Sequence, residues 1–119
     1  MSIRKAIYDL LNDTEADVYP LVAPQETTDP YVAYSMNRIP VRTQDGVGVQ
    51  EVDLTLEIYA SDLSSCIVLA DALYTDLEGA AGTYATETLH VCNWLSESDE
   101  YIAQLDKFNI TQTYNLKFI

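Results

Sequence analysis

The sequence predicts an α+β fold: a mostly antiparallel β-sheet with two helices packed on one face and a projecting β-hairpin. Three observations predict it. Val52, Leu54, Leu56 and Ile58 alternate with Glu51, Asp53, Thr55 and Glu57, the period of two that turns one face of a strand to a core and the other to water. Directly afterwards the period lengthens, and Leu63, Cys66, Ile67, Ala70, Leu73, Tyr74 and Leu77 recur at helical spacing in a stripe broad enough to cover a sheet face. Asp45-Gly46 lies between two strand-like runs and tolerates the positive φ of a type I′ turn, so the strands it joins are antiparallel.

Taken in chain order, the first element is a short helix, with Ile3, Ala6, Ile7, Leu10 and Leu11 on one side, Ser2 as candidate N-cap and Asn12-Asp13 as its stop. Val18 to Val22 read as an extended piece that enters a polar loop, Gln25 to Asp29. Tyr31 to Ile39 are apolar, aromatic or β-branched at most positions and follow Pro30, which suits the first residue before a strand. Pro40 cannot donate to a ladder, so it belongs at an edge or a bulge. The hairpin tip, from about Val41 to Val49, overhangs the well-patterned parts of both strands. Arg42, Asp45, Gly46 and Val47 are therefore candidate interface residues on an arm that reaches a neighbour, the alternative being an ordinary loop.

Ser61 or Asp62 caps the main helix, and Gly79 suits the left-handed residue that ends it. Ala80 to Thr86 read as a loop, and Leu89 to Leu95 as a strand with both faces partly buried. Ser96 to Glu100 is acidic and turn-like. The closing strand puts Phe108, Ile110, Tyr114, Leu116 and Phe118 on one side and Lys107, Asn109, Thr111, Thr113, Asn115 and Lys117 on the other. Leu54, Leu56, Ile58, Leu63, Ile67, Leu73, Phe108, Ile110 and Leu116 form the expected core.

A chain of 119 residues with 48% apolar content is the size of one folded unit, so residues 1–119 are expected to be a single domain. The longest uncharged apolar run, Cys66 to Ala70, is far short of the roughly 20 residues of a membrane span, and no leader pattern opens the chain; a soluble protein is expected. Cys66 and Cys92 lack metal-ligand spacing and read as small buried hydrophobes; His90 is the only histidine and reads as a strand residue. No phosphate-cradling glycine loop, nucleophile elbow or zinc spacing is present, so no catalytic residue, metal or cofactor is expected. The formal charge is −13, and Thr43 to Asp106 holds thirteen acids and no Lys or Arg. Such a surface repels nucleic-acid phosphate, which excludes binding through a basic patch. Glu51, Asp53 and Glu57 share one strand face and are expected to project into water.

Several segments in order carry a resemblance: the helix ending Leu10-Leu11, Val18-Tyr19-Pro20, Pro30-Tyr31-Val32-Ala33-Tyr34, the strand ending Leu56-Glu57-Ile58-Tyr59-Ala60, the Leu63–Leu77 helix, and Asp99-Glu100-Tyr101 before the last strand. Over nearly the whole chain this resembles the tail terminator, or tail completion, proteins of long-tailed bacteriophages and related prophages. The resemblance implies a structural virion protein, not an enzyme: a homohexameric ring at the head-proximal end of the tail tube that stops tube polymerisation and joins tail to neck. Its implied partners are copies of itself, the tail tube protein and a neck or head-completion protein, with DNA passing through the lumen and assembly in the host bacterial cytoplasm. Glu51, Asp53 and Glu57 would then line the channel, where carboxylates keep DNA from adhering. The charge also admits an acidic DNA mimic that inhibits a nucleic-acid-binding enzyme, and a third class is a small hydrolase or ligand-binding domain with unmarked carboxylates.

Overall fold

The strand whose alternation is clearest in the sequence occupies the middle of the sheet, where both its edges are paired. The computed structural model describes residues 3–12, 18–20, 30–40, 50–84, 87–104 and 106–118. They form α1 (Ile3–Asn12), β1 (Val18–Pro20), β2 (Tyr31–Pro40), β3 (Gln50–Ala60), α2 (Leu63–Leu77), β4 (Gly82–Tyr84), β5 (Glu87–Ile102) and β6 (Lys107–Phe118). The six strands make one curled sheet in the order β1-β2-β3-β6-β5-β4, antiparallel except where β1 runs parallel to β2. The expected α+β class, with both helices on one face, is what the chain adopts.

The core lies between the helices and one sheet face. Val52, Leu54, Leu56, Ile58 and Ala60 of β3 stand opposite Leu116, Tyr114, Gln112, Ile110 and Phe108 of β6, and all but Phe108 are buried. Ala6, Ile7, Leu10 and Leu11 of α1 join the same cluster as Cys66, Ala70, Leu73 and Leu77 of α2. α2 begins where Asp62 Oδ2 accepts from the Ser65 amide and ends at Gly79, whose φ of 76° an L side chain rarely adopts. One buried polar cluster ties helix to sheet: Gln112 Nε2 donates to the Ala70 carbonyl (2.9 Å) and to Glu97 Oε1 (2.7 Å), while Tyr114 donates to Gln112 Oε1 (3.1 Å). A fully buried amide is tolerable because its donors and acceptor are thus engaged.

Several expectations are corrected. Leu63 and Ile67 are 39% and 43% exposed, and Phe108 is only partly buried. The helix approaches the sheet through the small residues Cys66 and Ala70, with Cys66 Sγ 3.2 Å from the Phe108 carbonyl oxygen, so Leu63 and Ile67 fall on the shoulder of the contact stripe. Ala80 to Thr86 contains β4, which pairs with the start of β5. Ser96 to Glu100 is not a turn: β5 runs through it to Ile102, paired residue for residue with β6. Leu89 to Leu95 does not alternate simply either, because register shifts at Leu89/Val91 and Trp94/Ser96 each insert an extra residue; His90 falls in the first and is exposed.

Both cysteines are free and buried. Burial, with the Glu78 charge second, pushes the Cys92 thiol up to about 12 from an ordinary 9.0. A thiol that ionises more readily unfolded than folded contributes stability that is complete below its unfolded pKa and is lost as pH rises through the folded value. The denaturant midpoint should therefore hold steady up to about pH 9 and decline toward pH 12, and alkylation of Cys92 should be slow until the chain unfolds. A midpoint flat across that window, or prompt alkylation of the folded protein, would contradict this assignment of burial.

Candidate interaction surfaces

The sheet face away from the helices has no covering layer among the described residues. At one end Tyr31 stacks on Tyr59 (centroids 5.2 Å), Tyr19 meets Tyr31 edge-on at 6.5 Å, and Lys107 Nζ lies 4.7 Å over the Tyr31 ring. Tyr59 donates to Glu57 Oε2 at 3.4 Å, and burial together with the Glu57 charge pushes its phenol up to about 12. At the other end Asn115 Nδ2 donates to Glu51 Oε1 (2.8 Å) and Asp53 Oδ1 (2.9 Å), and Lys117 stands opposite Glu51 in the register.

The structure thus brings Glu51, Asp53 and Glu57 together on one face, as their spacing requires, but not bare in water. They are half-buried between β2 and β6 and engaged by Asn115 and Tyr59. Side chains of neighbouring strands stand about 5 Å away and supply the cover that a strand considered alone does not have. Arg42, Asp45, Gly46 and Val47 lie outside the described residues.

A second surface was not legible as such. α2 also carries exposed apolar side chains off its contact stripe: Val68 is 67% exposed, beside Leu63, Ile67 and Tyr74 at about two-fifths, among the polar Ser64, Asp71, Thr75 and Asp76. Tyr74 meets Trp94 of β5 edge-on at 5.6 Å, and Trp94 itself is 41% exposed. On the other shoulder of the helix, Val68, Leu69 and Ala72 line an open groove with Pro30, Ser64 and Ser65. The run Ile67-Val68-Leu69 was the available signal, since three consecutive apolar residues cannot all face one sheet.

A third surface is the distal half of β5. Every side chain from Asn93 to Tyr101 is exposed, including Leu95 at 53% and Tyr101 at 49%. Tyr101 donates to Asp106 Oδ1 (2.6 Å) and packs on Phe108 (5.0 Å), which fixes the turn into β6, where Asp106 takes a φ of 51°. Among the described residues no group of three or more His, Cys, Asp or Glu is arranged to hold a metal, and no helix is long and apolar enough to cross a membrane.

The family model described as tail completion protein gp17 matches residues 3–117. The chain belongs to this family. It is accordingly a structural protein of a phage-type tail, located in the virion. Among solved structures, a chain in the virion of a native gene transfer agent particle superposes with a TM-score of 0.80 at 17% identity, covering 98% of this chain and 93% of that one. At that identity the likeness shows the fold. No curated protein matches the chain. In this tail completion family member Leu63, Ile67, Val68 and Tyr74 of α2 and the distal part of β5 are exposed.

Proposed function

We propose that copies of this chain close into a ring, a hexamer in the reading the family resemblance supports, at the head-proximal end of a tail tube. The ring ends tube polymerisation and joins the tail to a neck protein. The observation that carries the reading is the outward side of α2 with Trp94: a single small layer of helices on a sheet that leaves Leu63, Ile67, Val68, Tyr74 and Trp94 at the surface is built to be covered. The hairpin arm at Arg42, Asp45, Gly46 and Val47 contributes contacts to a neighbouring copy or to the tube, and Glu51, Asp53 and Glu57 face the lumen.

The assay is the mass of the purified protein in solution together with negative-stain images, with and without tail tubes. Rings and capped tubes of uniform length are expected. A monomer at all concentrations that leaves tube length unchanged would sink the proposal. In the same assay, replacing Thr43 to Gly48 by a short turn should leave a folded chain that caps no tubes. Glu51→Gln, Asp53→Asn and Glu57→Gln together keep acceptors for Asn115 while removing three charges per copy, and should slow DNA passage in a salt-dependent manner; unchanged ejection kinetics would remove this row from the channel wall. The DNA-mimic reading draws no support from the row, since half-buried carboxylates shared with Asn115 and opposed by Lys117 make a poor copy of exposed phosphates.

A further inference from the structure

We infer that the distal edge of β5, Glu97 to Tyr101, is completed by an extended cationic segment of a different virion protein, which adds to the sheet as a further strand. The inference rests on the joining role proposed above and names the contact that holds the neighbour. Along its outer side β5 is covered in steps. β4 pairs with Glu87 to Leu89, the Gly79 amide donates to the Cys92 carbonyl (2.9 Å), and Glu78 Oε2 accepts from the Trp94 amide (2.6 Å). Past Trp94 the strand runs on to Ile102 with β6 on its inner side, and no strand pairs with its outer side among the described residues. Every side chain from Asn93 to Tyr101 is exposed, which leaves the stretch open to a partner. Residues 96–102 are long enough for a strand, whose ordinary length is about 5 to 6 residues.

The backbone of this edge has hydrogen bonds to give. In a strand one residue turns its amide and carbonyl to one neighbour, and the next residue turns its own to the other. The bonds at Cys92 and Trp94 mark these two residues as outward. The register shift between Trp94 and Ser96 inserts Leu95, which passes the outward role to Glu97, Asp99 and Tyr101. Ser96, Ser98 and Glu100 turn theirs to Thr113, Thr111 and Asn109 of β6. Leu95, 53% exposed, and Tyr101, 49% exposed, put apolar surface at the two ends of the outward row, which an added strand covers.

Charge decides what kind of strand adds. Glu97 and Asp99 stand opposite Gln112 and Ile110, so both carry their carboxylates on the helix side of the sheet, two residues apart, and Glu100 lies on the other side. Residues 96–102 hold no cation. An open edge needs a guard against pairing with copies of itself, and the acids supply one: two β5 edges side by side set carboxylate against carboxylate. The guard does not act against a strand with Lys or Arg at alternate positions, for which the same carboxylates are cross-strand partners. This chain holds no such strand. Its basic residues are Arg4, Lys5, Arg38, Arg42, Lys107 and Lys117, and no two of them stand two apart. The occupant is therefore a different protein, held by backbone bonds and selected by charge.

The probe is a short blocked peptide that alternates Lys with Val, added to the full chain, with amide hydrogen exchange read at single residues. In the free protein the amides of Ser98 and Glu100 should exchange slowly and those of Glu97, Asp99 and Tyr101 fast. At saturation the peptide should slow the second set by at least about tenfold. Two N-methylated forms, one blocked at every Lys amide and one at every Val amide, keep the charge, and only one of them keeps the donors that face β5. The other should bind at least about tenfold more weakly. Equal binding by both, with the three amides still exchanging fast, reads as charge attraction alone and overturns the inference.

Two variants carry the test to the assembled tail. Asp99→Pro removes an outward amide that has no partner within the copy, so fold and rings should persist while peptide binding weakens at least about tenfold and tails fail to join. Asp99→Asn removes the charge alone and should weaken the peptide about two- to fivefold. Rings that form while the peptide leaves the three amides unprotected overturn the edge inference and leave the ring reading standing. Protection without rings supports the edge and overturns the ring; neither protection nor rings overturns both. Loss of rings in a folded Asp99→Pro chain would make this edge a contact between copies and overturn the choice of a different protein as its partner.

Discussion

Replacing Leu56 with Ala is expected to destabilise the fold by about 2 to 5 kcal/mol. Leu56 is fully buried at the middle of the central strand, with Tyr34 opposite it on β2 and Gln112 on β6. Three side-chain carbons leave the core, and the sheet cannot close over the gap because β3 is held in ladders on both sides. The space opens beside Gln112, whose three hydrogen bonds to Ala70, Glu97 and Tyr114 depend on its position. The cost should therefore fall in the upper half of the range. Chemical denaturation at concentrations where the chain is monomeric measures it, since assembly would add stability of its own. A loss under about 0.5 kcal/mol would place the side chain outside the packed layer and remove the register on which the core description rests.

What could be read in the sequence follows where local and tertiary physics agree. The alternation in β3 and β6 is strict because each has one face against helices, and α2 begins at Asp62 and ends before Gly79 for reasons contained in its own backbone. β5 was legible only as far as Leu95. Its distal residues Ser96-Glu97-Ser98-Asp99-Glu100 have the composition of a turn, and they are strand because β6 pairs with every one of them. Their side chains are all exposed, so no apolar period marks them. The two bulges shift the face of the following residues, which defeats any reading that extends one alternation through Leu89 to Leu95. β1 and β4 are three residues each, too short to show a period, and are defined by their partners.

The candidate surfaces divide in the same way. The shared face of Glu51, Asp53 and Glu57 follows from spacing alone, but their half-burial depends on Asn115, more than sixty residues away in sequence. The outward side of α2 was absorbed into the expected core because apolar residues at 63 and 67 fit a stripe one row too wide. Small residues at 66 and 70 set how closely the helix approaches the sheet and hence which row is covered, a property of packing that periodicity does not contain.

Val68→Glu should produce the opposite result to Leu56→Ala: the fold kept and the assembly lost. At 67% exposure on the outward side of α2, Val68 contributes little to the core of one copy, so the chain's stability should change by no more than about 0.5 kcal/mol. If the proposed assembly covers α2, the same position lies in an apolar contact, where a carboxylate must be desolvated without a cation to meet it. The nearby residues supply none, since no Lys or Arg occurs between Thr43 and Asp106, and neighbouring copies bring the same acidic surface. The concentration at half-assembly should therefore rise at least about tenfold, equivalent to roughly 1.4 kcal/mol per contact, and added salt should recover only part of it because most of the cost is desolvation rather than long-range repulsion. Sedimentation across a concentration series reads both quantities, assembly directly and fold through the monomer's denaturation. If Val68→Glu assembles as the unaltered chain does, the outward side of α2 is a free surface, and the contacts that hold copies together must be carried elsewhere.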